Sequence, residues 1–437
     1  MKKILLLTTI VCMLLIFTGI VLAAEEITYN ATTTFITCTE NFKKNIGYDI
    51  FDRFEEETGI KVNITIYPFD QIFQVTEVGM KAKSSENDGF HVDSPLTSSY
   101  AVRGYLEPID SSFPPEEQGA FFPATIEMAK WNGKVYNVPF ENSTQFMYYN
   151  KDLFEKAGIP VPLMDVNQRW TWEKVVETSQ KIQKILNKEG ETKIWGLLFD
   201  QVNRPYQMLV LPQSLGAGSG VSPDGLHVEG YLNNEGWIKA MTWWYNVNNV
   251  WEIHPKGVTA DETAQMFAAG NVAMYIAINS RISFFEETRK EGRLNYGIAP
   301  HPYFKDGKPV TPTNSWHLGI NPYSKNKEAT GKFIKYLTSD KIMKDWFKGT
   351  ARLTANRVMN EVIADSPEYD NFPLNAFKEI ATYELANTAT PRPTTPLWLE
   401  WQDFVTKAFS DVQNGGDPKT VLNRYSSILE KAAEKYK

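Results

Sequence analysis

Residues 131–152, Trp-Asn-Gly-Lys-Val-Tyr-Asn-Val-Pro-Phe-Glu-Asn-Ser-Thr-Gln-Phe-Met-Tyr-Tyr-Asn-Lys-Asp, divide the chain into two differently patterned parts. Before them, strand and helix alternate. Residues 27–36 are β-branched and strand-like, and 41–58 carry Ile46, Ile50, Phe51 and Phe54 on one helical stripe that stops at Gly59. Residues 61–69 alternate with period two and predict a second strand, 71–83 a second helix, and 90–93 a short third strand. Such a βαβαβ beginning implies a mainly parallel sheet with helices on both faces. Ligands of such sheets sit at the carboxyl ends of the strands, where segments 37–41 and 93–99 fall.

After Asp152 the pattern resets. A short helix over 153–157 ends at Gly158, and Thr171 is placed to cap a longer helix through Val175, Val176, Ile182 and Leu186. Trp237, Met241, Trp244 and Tyr245 share a helical face, which reads as core. The last third is helical: 328–339, 373–386, 397–414 and 418–436. No solenoid-period repeat and no heptad array is present.

Bulk composition narrows the function classes. A length of 437 residues suits two domains of ordinary size, and 42% hydrophobic with 22% charged residues describes a soluble chain with real cores. The net charge of −7, without runs of Lys or Arg, argues against nucleic acid and anionic membrane surfaces as partners. Aromatic residues reach 13%, enough to furnish both cores and a ring-lined cleft. Met1-Lys2-Lys3, the apolar run 4–22 and Ala23-Ala24 form an export signal, with removal expected after residue 24; an alternative reading retains the run as a membrane anchor. Cys38 is then the only cysteine left, so no internal disulfide forms, and it reads as a small buried filler.

Catalytic motifs are absent. The histidines at 91, 227, 254, 301 and 317 lack zinc-ligand spacing, and there is no Gly-x-Ser-x-Gly elbow, P-loop or Gly-x-Gly-x-x-Gly. The run Gly-Ala-Gly-Ser-Gly at 216–220 follows a helix, so it is no phosphate cradle. We expect neither metal nor cofactor, and no enzyme activity.

Residues 131–152 resemble the "G-K-hydrophobic-Y-x-x-P … hydrophobic-Y-Y-N-K-D-L-F" signature of the bacterial extracellular solute-binding proteins of carbohydrate ABC importers (family 1, maltose-binding-protein-like). Further segments fit in the same order. They are Phe-Glu-Glu-Glu-Thr-Gly-Ile-Lys-Val at 54–62, Gly-Tyr-Leu-Glu-Pro-Ile-Asp at 104–110 and Met-Phe-Ala-Ala-Gly-Asn-Val-Ala-Met at 266–274. Asn-Tyr-Gly-Ile-Ala-Pro-His-Pro at 295–302, the helix of 326–339 and Pro-Arg-Pro at 391–393 follow. Two departures, Asn279-Ser280-Arg281 in place of a usual Trp and a missing Pro near Leu353-Thr354, make ligand identity the least transferable property.

The resemblance implies an α/β, two-lobed, periplasmic-binding-protein-like (class II) fold, each lobe a mixed sheet flanked by helices, with a cleft between. Crossings are expected near 138–140, 296–299 and 339–349. The corresponding division is 25–139 and 297–340 for the N-lobe, and 140–296 and 341–437 for the C-lobe. A monomer that hands a sugar to ABC permease subunits is the implied function.

Sugar recognition needs flat rings and planar polar groups for vicinal hydroxyls. Strand-end positions supply candidates: Glu40, Asn41, Asp93, Glu141, Asn142, Arg204, Tyr206, Asn279, Arg281, Trp316, Arg392 and Trp398. Plainer roles stand beside them. Asp93 and Asn41 equally fit helix caps, Arg281 and Arg392 structural ion pairs, and Trp316 and Trp398 the core. Two other functions fit the same residues. Glu40 or Asp93 with Glu141 could serve a glycoside hydrolase, and Arg204, Arg281 and Arg392 could hold an acidic sugar or phosphorylated polyol.

Overall fold

The computed structural model describes residues 25–191, 193–200, 205–313 and 316–437; the expected export segment lies outside the described residues. The two principal sheets are built from β1 (Glu25–Thr32), β2 (Ile60–Tyr67), β3 (Gly89–Asp93), β4 (Asn137–Glu141), β5 (Gln145–Asn150), β6 (Trp195–Phe199), β7 (Val272–Ile278), β8 (Tyr296–Pro300) and β9 (Trp316–Ile320). The first sheet has order β2-β1-β3-β9-β4, parallel among β1, β2 and β3, with β9 antiparallel to both neighbours. The second has order β8-β5-β7-β6, parallel only between β6 and β7. Two mixed sheets with helices over them make the two-lobed α/β fold. The central strands are buried on both faces, which explains why β7 reads as the unbroken apolar run Val-Ala-Met-Tyr-Ile-Ala-Ile.

The first helix begins earlier than its β-branched sequence suggests. Thr32 ends β1 and its hydroxyl accepts from Phe35 N at 3.2 Å, so the helix Thr33–Ile46 starts where a strand through residue 36 was expected. The single helix expected over 41–58 is two helices. Gly47, at φ +96°, closes the first in the left-handed conformation, and Asp49 caps Ile50–Thr58 by accepting from Phe51 N at 2.9 Å. Thr171 caps Trp172–Leu186 through Lys174 N, as its spacing predicts.

Three stretches lie where the chain passes between the sheets: 142–144, 301–313 and 351–357. They converge on one residue. Asn142 N donates to Leu353 O at 2.7 Å, and Ala355 N donates to Phe140 O at 2.9 Å. The Thr313 hydroxyl donates to Asn142 Oδ1 and, at 3.1 Å, to Ser143 O. The places expected for the crossings, near 138–140, 296–299 and 339–349, fall instead on β4, β8 and the helix Asp340–Thr350, and the chain passes over a few residues later. The sequence reading also starts the last C-lobe piece at residue 341. The helix Asp340–Thr350 instead buries Ile342, Met343 and Trp346 in the first lobe's core with Phe42, Ile27 and Phe140.

The C-terminal helices Trp398–Gln413 and Pro418–Ala433 pack in a core with Trp237, Met241 and Trp244 of the helix Glu235–Asn249. Trp244 Nε1 donates to Phe409 O at 3.0 Å, fixing that packing in register.

Candidate ligand-binding site

A cavity of about 460 Å³ lies between the sheets, at the ends of β3, β4, β7 and β9. Its first-lobe wall is Thr34, Phe69, Phe73, Asp93, Leu96 and Trp316. The hinge contributes Glu141, Asn142, Ser143 and Arg352, and the opposite wall Tyr206, Ile278, Arg392, Trp398, Leu399 and Gln402.

Aromatic rings are braced from behind. Trp316, half-buried, lies parallel to Phe73 at 6.4 Å and edge-on to Phe69 at 5.9 Å. Across the cavity Trp398 is buried and stacks on Trp401 at 5.5 Å, so it serves core and cavity wall at once.

Charges in the wall come as opposite pairs. Arg392 forks onto Asp93, with Nη1 3.2 Å from Oδ2 and Nη2 on Oδ1, and Nη2 also donates to Ser94 Oγ at 3.3 Å. Its guanidinium lies over the rings of both Tyr206, at 5.3 Å, and Trp398, at 5.4 Å. Since Asp93 ends β3 and Trp398 belongs to the other wall, this pair bridges the cleft. Glu141 accepts from Trp346 Nε1 at 3.2 Å and from Arg352 Nη1 at 3.5 Å. Glu141 in turn holds the Arg352 guanidinium more firmly charged than usual. Burial first, and Glu141 second, push the nearby Cys38 thiol up to about 11, which leaves it an inert filler at neutral pH.

The structure brings seven candidates together along one cavity: Asp93, Glu141, Asn142, Tyr206, Trp316, Arg392 and Trp398. Glu40 and Asn41 are not among them. Helix formation from Thr33 onward carries both onto an exposed face, and Thr34 in the first turn of that helix lines the cavity instead. Asn279 turns into the hinge, where its Oδ1 accepts from Thr144 N at 3.1 Å. Arg204 lies outside the described residues. Residues missed by sequence reasoning include Phe69, Phe73 and Arg352. The helix Phe69–Lys81 begins right after Pro68, a residue that favours helix starts, and its first two turns present both phenylalanines to the cavity. Arg352 carried no local signal, because only the third crossing brings it back to β4.

Arg281 serves the fold. Its Nε donates at 3.1 Å to Asp200, which is fully buried and also accepts from Tyr275 at 2.6 Å and Gln207 at 3.2 Å. Arg281→Gln should cost about 2 kcal/mol, less than the 3–5 kcal/mol of a fully enclosed pair, because Asp200 keeps its other donors and Arg281 is 29% exposed. Chemical denaturation measures the loss. Ligand affinity of the variant should equal that of the native protein.

Among the described residues no group of three or more His, Cys, Asp or Glu could hold a metal ion, and no helix is long and apolar enough to cross a membrane.

Comparison with known proteins agrees with this geometry. The profile of the family "Bacterial extracellular solute-binding protein" matches residues 40–344. A chain of Brucella abortus (strain 2308), named only as a binding protein, is 26% identical, over 86% of this chain and 87% of that one. The maltodextrin-binding protein of Bacillus subtilis (strain 168) is 25% identical, over 74% and 73%. An ABC substrate-binding protein of Listeria monocytogenes, solved with cycloalternan, superposes with a TM-score of 0.75 at 20% identity, covering 93% of this chain and 98% of its own. With two mixed sheets, three crossings meeting at Asn142 and a cleft between them, this chain belongs to the bacterial extracellular solute-binding proteins.

Proposed function

We propose that this protein captures a neutral sugar or oligosaccharide outside the cell by hinge closure and delivers it to the membrane permease of an ABC importer. The observation that carries the reading is the composition of the cleft wall: Trp316 faces Trp398 and Tyr206 across about 460 Å³, and the ionic groups between them pair off as Asp93–Arg392 and Glu141–Arg352. Rings suit the apolar face of a pyranose, and paired carboxylate and guanidinium groups offer acceptors and donors to vicinal hydroxyls. The volume falls within the roughly 300–1,000 Å³ of small-molecule sites. Among the described residues the wall holds no surplus charge, which favours a neutral ligand over a uronic acid or a phosphorylated polyol. Arg281 is turned to Asp200 and Arg392 to Asp93, so neither arginine offers an uncompensated charge.

Hydrolysis fits this wall poorly. Asp93 and Glu141 are both engaged as acceptors by guanidinium groups, whereas a glycosidase needs one carboxylic acid poised to give up a proton. The Asn142 hinge gives closure a mechanical basis: a ligand draws the lobes together by the difference in its affinity for the closed and open arrangements. Export follows from the family, and the segment 4–22 supplies the signal or an anchor.

A thermal-shift and tryptophan-fluorescence screen of the chain from Glu25 tests this. A neutral sugar at 100 times its dissociation constant should add roughly 2.7 kcal/mol of stability and change the emission of Trp316 and Trp398. Recovery of the sugar uncleaved is expected. Binding confined to uronic acids or polyol phosphates would reverse the neutral-ligand reading, and cleaved sugar would reinstate the hydrolase.

A further inference from the structure

A second cavity of about 500 Å³ adjoins the first, and Arg392 lines both. It too lies between the lobes. Glu127 of the first-lobe helix Pro123–Met128 faces the glycine-rich turn at 216–222 and the segment Thr390–Thr394. We infer that the ligand runs past Arg392 into this second compartment, so that the cargo is a neutral oligosaccharide rather than a single sugar unit; the inference rests on the carbohydrate reading above.

The compartment carries the same chemistry in a different form. Tyr231, 39% exposed, presents a ring, and Pro391 and Pro393 add flat apolar faces beside it. Gln213 lines the cavity and is only 5% exposed, yet its Oε1 is buried without any donor, while its Nε2 reaches Pro391 O only at 3.4 Å. An orphaned buried acceptor costs roughly 1–3 kcal/mol, a cost removed when the amide turns toward the cavity and accepts from a ligand hydroxyl. Glu127 and Lys308 balance in sign, so among the described residues this wall, like the first, holds no surplus charge for an anion. Gly216 and Gly218 both sit at φ +74° with open space where a Cβ would stand, which keeps the turn thin and leaves the compartment room for a sugar ring. The glycine run therefore gains a role that is not phosphate binding. Arg392, flanked by Tyr206 and Trp398, is the waist between two compartments, each large enough for a drug-sized ligand.

The test is calorimetry with homologous series of one to five units, using α-1,4- and β-1,4-linked gluco-oligosaccharides and β-1,4-linked xylo- and manno-oligosaccharides. In the native protein, affinity for the recognised series should rise by tenfold or more between the shortest member that binds and the tri- or tetrasaccharide, then level off. Tyr231→Ala should erase most of that rise, and Ser219→Trp, which fills the compartment from the turn, should erase it entirely. Retention of the rise in both variants would overturn the second compartment, as would a native protein that binds its shortest ligand as tightly as its longest; either outcome leaves the sugar-binding function standing. Failure of every series to bind would remove the carbohydrate reading and this inference together.

Discussion

Replacing Arg392 by Gln is expected to cost about 3–5 kcal/mol of stability and to weaken ligand binding by roughly 30-fold or more. The two losses have separate causes. Asp93 and Arg392 are both buried, and removing the guanidinium leaves the carboxylate enclosed with only weaker donors nearby. That penalty belongs to the fold. The affinity loss comes from the place Arg392 occupies: it spans the cleft, is gripped by Tyr206 and Trp398, and lines both cavities. A double-mutant cycle separates them. Asp93→Asn combined with Arg392→Gln removes the orphaned charge, so most of the stability should return as measured by denaturant titration. Affinity should not return, because Gln can neither offer a cation to the two rings nor donate in a fork. Native affinity in the folded double variant would take Arg392 out of the binding site.

The sequence made the lobes legible because their patterns are local. The period-two run of β2, the helix capped by Thr171 and the buried stripe of Trp237, Met241 and Trp244 form where spacing puts them. Glu141 and Asn142 were also within reach, since polar residues directly after Pro139 and Phe140 have no core to enter. Two kinds of residue escaped. Glu40 and Asn41 were misplaced because the β-branched Thr33, Thr34, Ile36 and Thr37 favour strand on propensity alone, whereas the Thr32 cap and burial of Phe35, Cys38 and Phe42 decide for helix. A Thr three residues before Phe35 was the available signal. Arg352 and the partners of Arg281 and Arg392 depend on contacts spanning up to about 300 residues of chain, so no local pattern records them. Which arginine pairs inside the core and which lines the cleft was decided by topology: Asp200 follows β6, next to β7 and Arg281, while Asp93 ends β3 and faces the C-terminal segment.

Acidification from pH 7.5 to pH 5 should remove roughly 8 kcal/mol of stability, enough to unfold a protein of ordinary margin. His91, His254, His301 and His317 are all buried, and burial holds each imidazole down to about 3. In the unfolded chain they titrate near 6.5. Below that value the unfolded state binds protons that the folded state refuses, so stability present above pH 6.5 drains away as pH falls toward 3. At pH 5 each histidine accounts for about 2 kcal/mol. Carboxylates held low in the fold, such as Glu430 at about 2, add most of their share below about 4.5, where the unfolded carboxyl is more than half protonated. The interval from 6.5 to 5 therefore isolates the imidazoles. His91 offers the sharpest control. Its ring packs against Phe35 at 4.5 Å and Tyr29 at 5.7 Å, and neither ring nitrogen has a hydrogen-bond partner among the described residues. His91→Phe should match or exceed native stability at pH 7.5, because an unsatisfied polar group is replaced by a ring of similar shape. At pH 5 it should stand about 2 kcal/mol above the native protein. Denaturant midpoints recorded at both pH values test this, and an unchanged pH dependence in the variant would mean that His91 takes up its proton without leaving the fold.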